Sequence, residues 1–287
     1  MNHLPLIAGL IAMLLIGCSW GPLAKEKDPK PDERRAELRG EYASRLNAVD
    51  WQDGWPSRDD CDGLLFASVA ACAGVDVDLS LAEHEPGKVH RRPPPACFED
   101  GEDRGARATT STDMRVGYML GSLCQADTGA LMRLAAYGEA NDWVMGEPRS
   151  LISRVLMKPN EIGLLGRAIY ALTGGIERKV YRDTPAIYGP TLADFEAHIQ
   201  VLAILAERES GGITEAMVER LREQSKAYPH DALFAAAVAL YTGGQAKAID
   251  LLLAEGFRCP TYARGKDPEA YCTAHWLLAA RLTLGDI

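Results

Sequence analysis

The sequence predicts an all-α fold, with helical hairpins arranged as an α/α toroid or short solenoid and one long irregular N-terminal loop. Three observations predict it. Val116, Met119, Leu120 and Leu123 recur at i, i+3, i+4, i+7, and so do Leu165, Ala168, Ile169, Leu172 and Phe234, Ala237, Val238, Tyr241. Alternating strand-like segments are nearly absent, Val75–Leu79 being the one short candidate. Two stretches end alike, ALTGG at 171–175 and LYTGG at 240–244. Glycine after the last apolar residue stops a helix because it reaches the left-handed conformation cheaply.

From the N-terminus, the apolar run Leu4–Gly17 is 14 residues long and contains Pro5. A bilayer-spanning helix needs about 20, so the run reads as the hydrophobic core of a signal peptide. It closes as Leu15-Ile16-Gly17-Cys18, followed by Ser19. This resembles the lipobox of bacterial lipoproteins, although Met1-Asn2-His3 carries no Lys or Arg. The resemblance implies cleavage before Cys18, acylation of that cysteine, and a lipid-anchored place in the bacterial cell envelope. Ser19 favours the outer membrane by the family's sorting tendency. Residues 1–17 are then the signal peptide, 18–32 a polar, Pro- and Lys-bearing tether, and 33–287 a single all-α domain.

The domain opens with a charged helix from Asp32 to about Ala48, packed by Leu38, Tyr42 and Leu46. Leu192, Phe195, Ile199 and Leu202 give a further stripe, and helices are expected at 128–141, 213–227, 245–255 and 270–284. Segment 233–253 resembles one tetratricopeptide hairpin, too little for an array, which needs three or more repeats.

Removing residues 1–17 from 287 leaves 270, ample for a core at 47% hydrophobic content. The net charge of −9 excludes nucleic acid as a partner and leaves membrane attachment to the lipid on Cys18. Six of the seven cysteines follow Cys18, an even number that suggests disulfides in an exported chain. Cys259–Cys272 is the simplest pair, closing a short loop worth roughly 3 kcal/mol. Cys61–Cys97 is the next, and Cys72 and Cys124 sit on apolar helical stretches as buried thiols. No Cys-x-x-Cys or paired His/Cys spacing points to a metal, and no cofactor motif is present. Neither a Gly-x-Ser-x-Gly elbow nor a Walker loop, Gly-x-Gly-x-x-Gly or His-Glu-x-x-His occurs.

Chemistry concentrates where periodicity fails, in WQDGWPSRDDCD at 51–62 and in the loop at 84–113. Asp59, Asp62 and Asp113 supply carboxylates, with Asp60 beside them, and Arg115 follows Asp113 on the next helix. Two carboxylates tuned apart are what glycosidic cleavage needs. Each acid is equally explained as a helix cap. A second cluster holds Trp143, whose flat face suits the C–H face of a sugar or fills a gap between hairpins, with Glu147, Arg154 and Asn160. The architecture resembles α/α-toroid glycan-acting proteins, which implies a polar cleft for a polysaccharide or similar ligand, binding or cleaving it. The alternative is a non-enzymatic helical scaffold that docks another envelope protein on an apolar groove.

Overall fold

The computed structural model describes residues 30–95, 97, 109–146, 155–174, 194–262 and 267–285, and these form an all-α fold. Ten α-helices stand among them: α1 (Pro31–Asn47), α2 (Gly63–Cys72), α3 (Thr112–Cys124), α4 (Thr128–Ala140), α5 (Pro159–Thr173), α6 (Asp194–Glu209), α7 (Glu215–Ala227), α8 (Ala232–Thr242), α9 (Ala246–Leu252) and α10 (Pro268–Leu284). Two small antiparallel hairpins interrupt them, β1 (Glu83–Glu85) with β2 (Lys88–Val89) and β3 (Val144–Gly146) with β4 (Val155–Leu156).

The sequence GLLFASVAAC gives α2 no polar face, and all ten of its residues are buried. A helix that is apolar all round belongs at the centre. It lies against α3 because Gly117 and Gly121, one turn apart, face it. A Cβ at Gly117 would stand 3.2 Å from Leu65 Cδ1, and one at Gly121 only 3.1 Å from Ser68 Cα. The pairing of 65 with 117 and of Cys72 with Cys124 makes the two helices parallel.

The same direction holds around a closed circuit. α2 neighbours α3, α3 neighbours α6, α6 neighbours α8, α8 neighbours α10, and α10 returns to α2. Tyr271 stacks on Phe66 near the start of α2, while Arg281 reaches the Cys72 carbonyl at its end, so α10 also runs parallel to α2. α7 is antiparallel to both α6 and α8; Gln224 of α7 donates to Gln200 of α6 at 2.8 Å. The circuit closes, as an open solenoid would not. α1, α4, α7 and α9 pack around it: α1 on α10, α7 and α9 on α8, and α4 on α3 and α5.

Gly174 (φ 67°) and Gly243 (φ 70°) cap α5 and α8 in the left-handed conformation, the role the two Thr-Gly-Gly marks predict. α1 begins on Pro31, with the Glu33 carboxylate accepting from the Lys30 N–H at 3.1 Å, and Leu38 is fully buried.

Two expectations are corrected. Val75–Leu79 alternates buried and exposed as a strand would, but joins no strand ladder: Asp78 N–H donates to the Asp53 carbonyl at 3.3 Å and Leu79 opens a short 3-10 turn. Alternation reports which side is buried; a strand also needs a hydrogen-bonded neighbour, and the chain supplies that at 83–89 and 144–156 instead. On α6, Leu202 of the predicted stripe is buried and Ile199 half-buried, but Phe195 is exposed, the flanking Ala197, His198 and Val201 are buried instead, and Leu192 lies outside the described residues. The predicted stripe was offset because a central helix is buried nearly all round and so lacks a defining polar face.

Candidate functional site at the mouth of the inner circuit

The N-termini of the inner helices share one end of the circuit, and a polar cluster that includes two fully buried histidines lies there. Asp231 is the N-cap of α8: Oδ1 accepts from the N–H groups of Leu233 (2.9 Å) and Phe234 (3.3 Å). Its Oδ2 accepts from the Tyr262 hydroxyl at 2.7 Å. Since that proton points at Asp231, the 2.9 Å contact between Tyr262 Oη and His275 Nε2 requires the imidazole to donate. His275 is thus the Nε2–H tautomer, and its buried Nδ1 has no partner. Burial pushes the Tyr262 phenol well above its usual range, with the charge of Asp231 adding to the effect.

His198 of α6 completes the cluster. Its ring stacks on Tyr262 at 4.3 Å and lies 5.3 Å from His275. It is fully buried, and neither ring nitrogen has a hydrogen-bond partner. Each such orphan costs about 1–3 kcal/mol. Beside the cluster opens a cavity of about 340 Å³, walled by Asp194, Tyr228, His230, Asp231, Arg258, Cys259, Thr261 and Tyr262. The Thr261 hydroxyl donates to Asp194.

His90, stacked on His84 at 3.7 Å, is the third buried histidine. Burial, helped by His84 and Lys88, lowers it to about 3. Burial likewise drives His198 well down and lowers His275 against the pull of Asp231. The unfolded chain takes protons on these rings below about pH 6.5, whereas the fold keeps them neutral, so stability falls as pH drops from 6.5 toward 3. His90 alone is expected to cost about 2 kcal/mol between pH 7 and pH 5, with His198 and His275 adding in the same direction. Urea unfolding at the two pH values checks this, and an unchanged midpoint contradicts it.

The residues singled out from the sequence are placed as follows. Cys18, Glu147 and Arg154 lie outside the described residues. Asp59 is exposed and offers its main-chain carbonyl to Arg92 Nη1 at 2.6 Å. Asp62 stands at the N-cap position of α2 and pairs with Arg91 at 3.2 Å, while Asp60 accepts from the Asp62 N–H at 2.9 Å. Asp113 is buried in the first turn of α3. Arg115 turns to the neighbouring helix end, where its Nε donates to Glu161 Oε2 at 2.7 Å and its Nη2 to the Leu156 carbonyl at 3.3 Å. Asn160 is the residue before Glu161 at the start of α5. Trp143, at φ 61°, lies against α4 so closely that a Cβ on Gly138 would be 2.4 Å from its ring.

The structure therefore pairs Arg115 with Glu161, the chain neighbour of Asn160, and sets Asp62 beside Arg91. Trp143 fills a gap between elements. The cluster of Asp231, Tyr262, His275 and His198 was missed. Asp231 is legible as a cap before an apolar run, but nothing in the sequence ties it to residues 31 and 44 positions later.

The cysteines divide in two. Cys61–Cys97 is bonded as expected. Cys72 and Cys124 are bonded to each other rather than free, because parallel α2 and α3 bring their C-terminal ends to a Cα separation of 5.1 Å. Cys259 and Cys272 are not joined as predicted: both are free, half-buried thiols. No helix among the described residues is long and apolar enough to cross a membrane. Comparison with protein-family models, with curated proteins and with solved structures finds no match for this chain.

Proposed function

We propose that the chain is a cell-envelope lipoprotein, held to the outer membrane by an acylated Cys18, whose mouth cavity takes a glycan or similar polar ligand. The observation that carries the ligand half is the wall of that cavity. Tyr228 and Tyr262 supply aromatic faces, and Asp194, Asp231 and Arg258 supply charged hydrogen-bonding groups around them. Flat apolar faces with a few placed polar groups suit a sugar ring, which has apolar C–H faces and a polar rim. The anchor half rests on Leu15-Ile16-Gly17-Cys18 and the polar tether after it.

Binding is favoured over cleavage. Of the two wall carboxylates, Asp231 already holds two helix N–H groups and the Tyr262 hydroxyl, which ties it to the fold rather than to proton transfer. The scaffold alternative needs an exposed apolar groove. Among the described residues the large exposed apolar side chains are Leu156, Tyr170 and Phe195, on three separate elements.

The test is retention of the detergent-solubilised, membrane-extracted protein on an oligosaccharide array, with titration of the sugars retained. Tyr228→Ala is expected to weaken binding about 10-fold, the worth of one aromatic face, and Cys18→Ala to abolish palmitate labelling. A folded protein that retains no sugar sinks the ligand reading. Palmitate labelling that survives Cys18→Ala sinks the anchor.

A further inference from the structure

Tyr262 belongs to the cavity wall, and the buried histidines hold it there. Its hydroxyl donates to Asp231 Oδ2 at 2.7 Å and accepts from His275 Nε2 at 2.9 Å, so a single oxygen bridges α8 and α10. His198 of α6 stacks on its ring at 4.3 Å. His198 and His275 are both fully buried, and three of their four ring nitrogens have no hydrogen-bond partner. An apolar ring at position 198 would stack equally well and leave nothing unsatisfied. What an imidazole adds there is a place for a proton.

The surroundings fix what that proton does. The charged and titratable groups facing the two rings are Asp231 from the start of α8, Tyr262 from the segment before α10, and each other at 5.3 Å. α2 meets them with Phe66, and Asp194 and Cys259 act on Tyr262 from the cavity side. Among the described residues, no charge on the other helices packed against α6 and α10 acts on either imidazole. One carboxylate can offset one imidazolium, so a second proton on the pair has no counter-charge. A protonated His275 also gains an Nδ1–H with no acceptor in the closed cluster. The cavity that Tyr262 walls is where that charge can meet water.

We propose that Tyr262 is an acid-released latch on the mouth cavity. At neutral pH it bridges Asp231 and His275; when the histidines take up protons, His275 pairs directly with Asp231 and Tyr262 leaves the wall. The protons come from solvent, and no covalent bond changes. Opened, the imidazoles take protons below about pH 6.5, the ordinary histidine range; closed, they do not. Opening is therefore favoured as pH falls. The open-to-closed ratio rises about 25-fold between pH 7 and pH 5 for one histidine released, and several hundredfold for both. The inference does not depend on what the cavity binds.

The test uses the full mature protein in detergent, labelled with 3-fluorotyrosine, with the Tyr262 resonance identified by its absence from Tyr262→Phe. As pH is lowered from 7, this resonance is expected to gain the solvent-isotope shift of an exposed ring while the helical circular dichroism signal is unchanged. His198→Phe/His275→Gln keeps a stacked ring and a donor to Tyr262 but takes up no proton, and is expected to stay closed over the same range. His275→Gln alone is expected to give the one-histidine response. The proposal is overturned if Tyr262 stays buried until the helical signal is lost, or if the double variant opens as the unsubstituted protein does.

Discussion

Replacing Glu161 by alanine is expected to cost about 3–5 kcal/mol and to lower the thermal midpoint by roughly 10 °C. The reason is burial. The side chains of Arg115 and Glu161 are 2% and 1% exposed, so the guanidinium left behind cannot find water. Glu161 also accepts from the Thr112 hydroxyl at 3.1 Å, and Arg115 Nη1 is already without a partner. The loss therefore reflects an orphaned charge more than a missing attraction. The double variant Arg115→Met/Glu161→Leu, which removes both charges, is expected to recover more than half of it. Circular dichroism melts of the three proteins decide the matter. A double variant no more stable than Glu161→Ala contradicts the account.

The second large effect is expected at Cys72–Cys124. The bond closes a loop of 52 residues, for which the chain-entropy model gives about 4 kcal/mol. It also joins the ends of two inner helices, so its loss frees part of the circuit itself. Cys72→Ala/Cys124→Ala should lower the urea midpoint and raise the m-value, because the unfolded chain, freed of the cross-link, exposes more surface. A cost below about 1 kcal/mol would mean that the packing of Gly117 and Gly121 on α2 suffices without the bond. Set against a typical total of about 5–15 kcal/mol, either substitution leaves little reserve.

Helix periodicity made α5 legible because it shows the core one face and solvent another; α3 and α8 kept a recognisable spacing of large apolar residues although most of their residues are buried. α2 and α6 were harder for the opposite reason, since a helix surrounded by others has no polar side to mark its phase. The C-caps were legible because they depend on one or two residues in local order: Gly174 after α5 and Gly243 after α8. Cys61–Cys97 was anticipated as the staple of an irregular segment. Cys72–Cys124 was not, because it depends on two helices running parallel, which no local pattern encodes. The mouth cluster failed for the same reason. His198, Asp231, Tyr262 and His275 lie on four different elements, and each alone reads as an unremarkable polar residue.

The parallel inner helices have an electrostatic consequence. Each helix N-terminus carries about half a positive charge, so the dipoles of five helices pointing the same way add to roughly two and a half charges at one pole. Each of the five also places an aspartate there: Asp62 at α2, Asp113 at α3, Asp194 at α6, Asp231 at α8 and Asp267 at α10. Five carboxylate charges outweigh the helix dipoles there and leave the pole net negative by roughly two and a half charges. Neutralising any one of them thus makes the whole pole more positive, even where the side chain loses no hydrogen bond.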